Sequence, residues 1–208
     1  MRKPLDAARL EEMALAYVAR FATTAAKLES YLYRKVRERG YNASNEGQSG
    51  LEPGLSDPDT SDTEAARAFI DDLVMRFVAK GFVDDEGYAR SKSGSMLRQG
   101  YGPRRIDMAL RQAGIDETLR SDIDPEEAKV RQSALALAKK RRFGPFDISM
   151  AALPDDAGFE QVQERRARQD KQLAAMVRAG HSFDVARAVL EAESTEAAEE
   201  WAHEIDDD

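Results

Sequence analysis

Five side chains within fourteen residues carry the most pointed chemistry in this chain: Arg98, Tyr101, Arg104, Arg105 and Arg111. A guanidinium is always charged and offers a planar fork of donors, so it holds carboxylates and phosphates by two-point contacts. A tyrosine among such groups adds an apolar face with a polar tip. A second cluster, Lys139, Lys140, Arg141 and Arg142, sets four cations in a row. Two readings stand for each cluster. The first is bland: a solvated helix face near a tight turn, or cations beside a negative helix C-terminus. The second is a docking surface for an acidic protein or a phosphate backbone. Neither cluster is catalytic in type. The chain has no cysteine and only two histidines, His181 and His203. No nucleophile–base pair, metal-ligand spacing or phosphate loop accompanies them. The acid pair Asp84 and Asp85 reads as a helix start rather than a metal site, because no other ligand-like group is near. The residues therefore point away from an enzyme, and no cofactor or metal is expected.

The elements that must position these groups are helices. Met96 to Gly114 spells helix, sharp break, helix. Gly100 suits a left-handed cap, Gly102 is a permissible N-cap, and Pro103 fits the first helical position. Ile106 and Leu110 then fall one turn apart on one face. Elsewhere, Leu10, Ala14, Tyr17, Val18 and Phe21 follow helical spacing over 5–21. Leu28, Tyr31, Leu32 and Val36 do so in a second helix that opens at Thr24 and ends at Gly40. Ser61 and Glu64 form a capping-box pattern before a third stripe of Ala66, Ile70, Leu73, Val74 and Phe77. A fourth helix near 85–98 holds Gly87, Ser91, Ser93, Gly94 and Ser95, all poor helix interiors, so tertiary contacts must hold it. After Asp116, which suits the cap of a short turn, Asp124-Pro125-Glu126-Glu127 reads as a helix start. That helix runs to about Phe143, with Val130, Ala134, Leu137 and Ala138 inward. Phe159, Val162, Leu173, Ala174 and Val177 are candidate core positions of a helix over 158–179 that stops at Gly180. Ser182 caps the last strong helix, with Val185, Ala186, Val189 and Leu190 apolar, and beyond it Trp201 and Ile205 alone anchor the tail. No segment alternates over strand length, so the fold class is all-α.

Charge divides the chain unevenly. Asn42 to Ala66 holds six acids and no cation, and Glu191 to Asp208 holds nine acids and no cation. Together they carry −15, and the net charge of −8 leaves +7 on the remainder. A basic body with two acidic appendages can meet a polyanion or an acidic protein. The appendages either compete for that basic face or keep the protein in solution. Residues 41–61 are rich in Gly, Pro, Ser, Asn and Asp and read as a mobile acidic loop. The tail reads as a frayed helix or as chain without order. No apolar run approaches the roughly 20 residues that span a bilayer, and the N-terminus lacks the apolar core of a secretory signal. A monomer in the cytoplasm, away from membranes, is expected.

The chain also repeats itself. With Gly100 set on Gly180, Leu97 faces Val177, Arg98 faces Arg178, Tyr101 faces His181, and Gly102 faces Ser182. The break at Ala22 to Thr24 fits the same frame. Three helices per unit follow: a first repeat over 1–80 with its loop near 41–61, a second over 81–143, a third over 144–192, and an acidic tail over 193–208. Small helical units bury little alone, so an elongated, curved array of tandem three-helix repeats is expected.

On these residues the chain resembles the RecX family of recombinase regulators. The likeness lies in FVDDEGYAR (Phe82 to Arg90), in LRQGYGPRRIDMALRQAGI (Leu97 to Ile115), and in the order of YLYRKVRERG (Tyr31 to Gly40) and AMVRAGHSFDVARAVLE (Ala175 to Glu191) around them. It covers about 10–192. Serine and glycine at 91–95, the acidic insert and the acidic tail depart from the family's pattern. The resemblance implies binding to the RecA–DNA filament and inhibition of its ATPase, strand exchange and co-protease roles, in the setting of DNA repair, homologous recombination and the SOS response. Weak contact with single- or double-stranded DNA is implied as well. Within the signature, Tyr101, Gly102, Arg104 and Arg105 match, whereas Lys139 to Arg142 are only a basic helix end. The alternative is a helical DNA-binding protein with no recombinase partner.

Overall fold

The computed structural model describes residues 4–42, 58–148 and 158–204. Among them are ten α-helices, one 3-10 turn, and a single isolated parallel bridge between Leu5 and Tyr41. The backbone falls into two compact units, each described on its own. The central part of the 41–61 loop lies outside the described residues, as do most of 144–157 and Ile205 with the last three acids.

Unit 1 comprises the chain up to Tyr88 together with Ala113–Ile115. Its helices are α1 (Ala7–Val18), α2 (Ala25–Arg39) and α3 (Pro58–Ala79), followed by the start of α4 (Asp85–Arg98). Asp6 caps α1 by accepting from the Arg9 amide, and Thr24 caps α2 by accepting from the Lys27 amide. The entrance of α1 and the exit of α2 are stitched together: Leu5 N donates to Gly40 O at 2.9 Å and Asn42 N to Leu5 O at 2.8 Å. Leu5, Leu10, Leu28, Leu32, Ile70, Leu73 and Phe77 form one buried cluster, matching the periodic stripes. After Gly81, at φ 71°, the Phe82 and Val83 amides turn back to Phe77 O, which buries Val83 and sets the Phe82 ring edge-on to Phe77 at 5.4 Å. Two expectations are corrected here. α3 begins at Pro58, upstream of Ser61, so Ser61 lies inside the helix rather than at its cap. Phe21 is exposed beyond the end of α1, its ring 5.4 Å from Tyr17.

Unit 2 comprises Ala89–Gln112 and the chain from Asp116 onward. It holds the rest of α4, then α5 (Pro103–Gln112), α6 (Glu117–Asp122), α7 (Glu127–Arg141), a 3-10 turn (Gly144–Phe146), α8 (Phe159–Arg178), α9 (Phe183–Leu190) and α10 (Thr195–His203). α4 forms despite its serines and glycine; Ser93 is buried beside Ala89 and Met96 on one face, so burial outweighs propensity. The core is built from small side chains: Ala134, Ala138, Ala186, Ala198 and Ala202, with Leu135, Met176 and Val189 filling the gaps.

Four more expectations change. Asp124 does not cap α7, because its amide still donates to Ser121 O in the exit turn of α6; α7 starts after Glu126. α6 is a true helix, capped by Asp116 through the Leu119 amide at 3.0 Å. In α8 the buried positions are Gln172 and Met176, whereas Phe159 is 80% exposed and Ala174 is exposed. A polar glutamine took the core-facing position, which hydrophobic periodicity cannot register. Finally, the acidic tail over 195–203 is α10, capped by Ser194 and packed against α7 and α9.

Candidate macromolecular docking site

The site is built on the turn between α4 and α5. Gly100 sits at φ 91°, and a Cβ there would come within 2.9 Å of Leu137 Cβ. Gly102 lies flat against the Gly180 break: a Cβ on Gly102 would fall 2.4 Å from the Gly180 carbonyl carbon. Backbone bonds fasten the two breaks, with Gly102 N donating to Ala179 O at 2.9 Å and Arg104 N to Gly180 O at 3.2 Å. Thus the two breaks that align in the sequence pack against each other in space. Pro103 follows as the first residue of α5.

His181 completes the turn from beneath. It is fully buried, and its Nε2 stands 3.0 Å from Gly100 O. A carbonyl only accepts, so Nε2 carries the hydrogen. Nδ1 has no partner. Burial pushes the imidazole below its ordinary value, partly offset by the bond to Gly100. The ring is therefore a neutral strut. Tyr101, its counterpart in the repeat, has its carbonyl held by Ser133 Oγ at 2.8 Å and its side chain 37% exposed. One frame thus supplies a buried strut at one break and a presented aromatic at the other.

Tyr101 borders two grooves. The first, of about 310 Å³, is lined by Lys140, Arg141 and Phe143 of the α7 end and by Arg178 of α8. The second, of about 240 Å³, has Lys92 and Arg105 beside Met96 and Met108. None of these five cations forms an ion pair with a described acid, so their charge is available. The Arg105 guanidinium does lie 3.9 Å from Met108 Sδ.

The remaining sequence candidates are placed differently. Arg104 and Arg111 line a separate hollow with Asp107, Glu117 and Asp124, where Arg111 pairs with Asp107 at 3.6 Å and Arg120 with the same carboxylate at 3.2 Å. Arg111 and Arg120 are balanced locally, whereas Arg104 lines the hollow without an ion pair to a described acid. Lys139 is bound to Glu199 of α10 at 2.6 Å. Arg98 is exposed at the end of α4 and lines neither groove. Arg142 turns at φ 55° to face another hollow with Arg168. Lys92 and Arg178 were not singled out by their surroundings in the chain; the only signal was the alignment of Arg178 with Arg98 across the repeat. Among the described residues no cluster of three acids or histidines could hold a metal, and no helix is long and apolar enough to cross a membrane.

Residues 84–122 match the family model described as RecX, second three-helix domain. Those residues are α4, α5 and α6, the elements that carry the Tyr101 turn; α7 lies beyond the match. The chain is 28% identical over 186 residues to a Regulatory protein RecX of Myxococcus xanthus, covering 88% of this chain and 84% of that protein. It is 32% identical over 114 residues to a Regulatory protein RecX of Pectobacterium atrosepticum, covering 50% of this chain and 66% of the relative. With all-α helical repeats, the signature turn in its second three-helix domain and relatives of this kind, the chain belongs to the RecX family of regulatory proteins.

Proposed function

We propose that this chain regulates RecA by docking on the RecA–DNA filament in the cytoplasm, inhibiting its recombinase, ATPase and co-protease activities without catalysing a reaction. The observation that carries the reading is Tyr101, presented from a locked glycine turn between two grooves whose cations have no internal counter-charge. Such cations pair carboxylates on a protein surface, and the aromatic supplies a central anchor. A rigid turn loses little entropy on docking, which favours affinity.

The test is single-strand-DNA-dependent ATP hydrolysis by the cognate RecA, titrated with this protein. Inhibition is expected. If it is complete well below one copy per RecA monomer, the mode is capping or disassembly; if it needs saturation, the mode is groove coating. Tyr101→Ala with Arg105→Ala should weaken inhibition by about tenfold or more. Arg104→Ala with Arg111→Ala should weaken it less, because both lie outside the Tyr101 grooves and Arg111 is already paired with Asp107. No inhibition by a folded protein overturns the reading. Equal loss from both double variants removes the Tyr101 grooves as the docking site. The second reading, a DNA binder without a recombinase partner, draws on the same unpaired cations beside an aromatic. It requires binding to DNA alone.

A further inference from the structure

Where the C-terminal end of α7 meets α8, unit 2 holds a second basic hollow, of about 590 Å³. That volume is typical of small-ligand sites. Arg141, Arg142, Arg168 and Lys171 line it, and among the described residues Asp147 is the one acid that does. The acid is already engaged. Arg168 Nε and Gln172 Nε2 both donate to Asp147 Oδ2, at 2.9 and 2.8 Å, and the Asp147 side chain is only 9% exposed. Gln172 Oε1 in turn accepts from the Gly144 amide at 2.9 Å. Gln172 is itself buried, so this wall is built before any ligand arrives. Arg141, Arg142 and Lys171 form no ion pair with a described acid.

Three unpaired cations around one hollow repel each other and gain most from a single multivalent anion. Two further features suit this. Arg142 is the one described non-glycine residue at positive φ, 55°, a conformation that disfavours any side chain. The turn nonetheless places an arginine there, on the rim of the hollow. Phe143 and Ile148 supply apolar wall beside the cations. The arrangement thus offers charge on one side and an apolar face on the other. Nucleic-acid strands spread their phosphates along a track, whereas this hollow gathers its cations around one point. We propose that it binds clustered phosphates on a small molecule, of the nucleoside di- or triphosphate class. The site stands apart from the Tyr101 grooves except for Arg141 and Phe143, which also border one of them, and it does not depend on the RecA reading.

Isothermal titration of the full chain at moderate salt tests this with three probes: ATP, inorganic pyrophosphate, and a short single-stranded oligonucleotide. Saturable one-to-one binding of both ATP and pyrophosphate is expected, each displacing the other. Lys171→Glu should weaken both by at least about tenfold. Lys171 is exposed and outside the Asp147–Gln172 network, so this variant keeps the fold. Arg104→Gln should leave both affinities unchanged, since Arg104 lines a different hollow. Tighter binding of ATP than pyrophosphate would add the apolar wall as a base contact. Binding of the oligonucleotide alone, absence of saturable heat with ATP and pyrophosphate, or indifference to Lys171→Glu each overturns the proposal.

Discussion

At the residue scale the turn depends on what is missing from two side chains. Gly102 and Gly180 meet backbone to backbone, and any Cβ on Gly102 would fall within 2.5 Å of the Gly180 oxygen and the His181 nitrogen. Gly102→Ala is therefore expected to destabilise unit 2 by ~1–3 kcal/mol or more, read from the urea midpoint. Gly158→Ala is the control: nothing lies within 4 Å of its Cβ position, and a change below ~0.5 kcal/mol is expected. His181 adds a pH dependence. Its folded value lies below the ordinary 6.5, so the unfolded chain takes up the proton first as pH falls. Stability from this residue is complete above about pH 6.5 and is lost as pH drops through the depressed folded value. Denaturation midpoints measured at about pH 7.5 and pH 5 should separate more in the wild type than in His181→Gln, which keeps a donor for Gly100 but does not titrate. Equal separation would mean that His181 is not the group responsible.

At the scale of elements, α10 is the segment whose composition misleads. Its three glutamates within Thr195–His203, with Glu193 just before and Glu204 just after, read as a frayed helix or chain without order. Yet Ser194 caps it, Ala198 and Ala202 are wholly buried, and Trp201 lies under the Arg131 guanidinium at 5.7 Å. Two short alanines give periodicity scales almost nothing to detect, but they let α10 approach α7 closely. Ending the chain after Glu193 should lower the stability of unit 2 by ~2 kcal/mol or more, visible as a reduced thermal midpoint by circular dichroism. An unchanged midpoint would return α10 to the status of an appendage. Its loss also frees Lys139 from Glu199, so the same truncation raises the local positive charge at the end of α7.

For the whole molecule, the division of charge matters more than its sum. The net −8 conceals cations of two kinds. Arg111, Arg120 and Lys139 are balanced by neighbouring acids, while Lys140, Arg141 and Arg178 are not. Partner recognition belongs to the second kind. Docking on a protein filament through a few carboxylate pairs should survive a rise from about 50 to 200 mM salt with modest loss, whereas reliance on many phosphate contacts would cost about 10³-fold or more. Repeating the RecA ATPase titration at both salts separates these cases, and a collapse of the larger size would favour the DNA-binding alternative.

The fold class and its punctuation follow from the order of amino acids alone. Helical periodicity in α2, α3 and α5, the Thr24, Asp116 and Ser182 caps, and the glycine exits are local rules, satisfied by neighbours a few residues away. The types of side chain that meet anions were also visible, because charge is written in composition. Which of those charges remain available depends on packing between distant segments. Glu199 neutralises Lys139 across 60 residues of sequence, and Lys92, Arg105, Arg141 and Arg178 meet around Tyr101 from four helices, α4, α5, α7 and α8. That packing also turned two equivalent places in the repeat, Tyr101 and His181, into an exposed anchor and a buried neutral strut. Burial and pairing depend on distances between remote segments, and no local pattern records them.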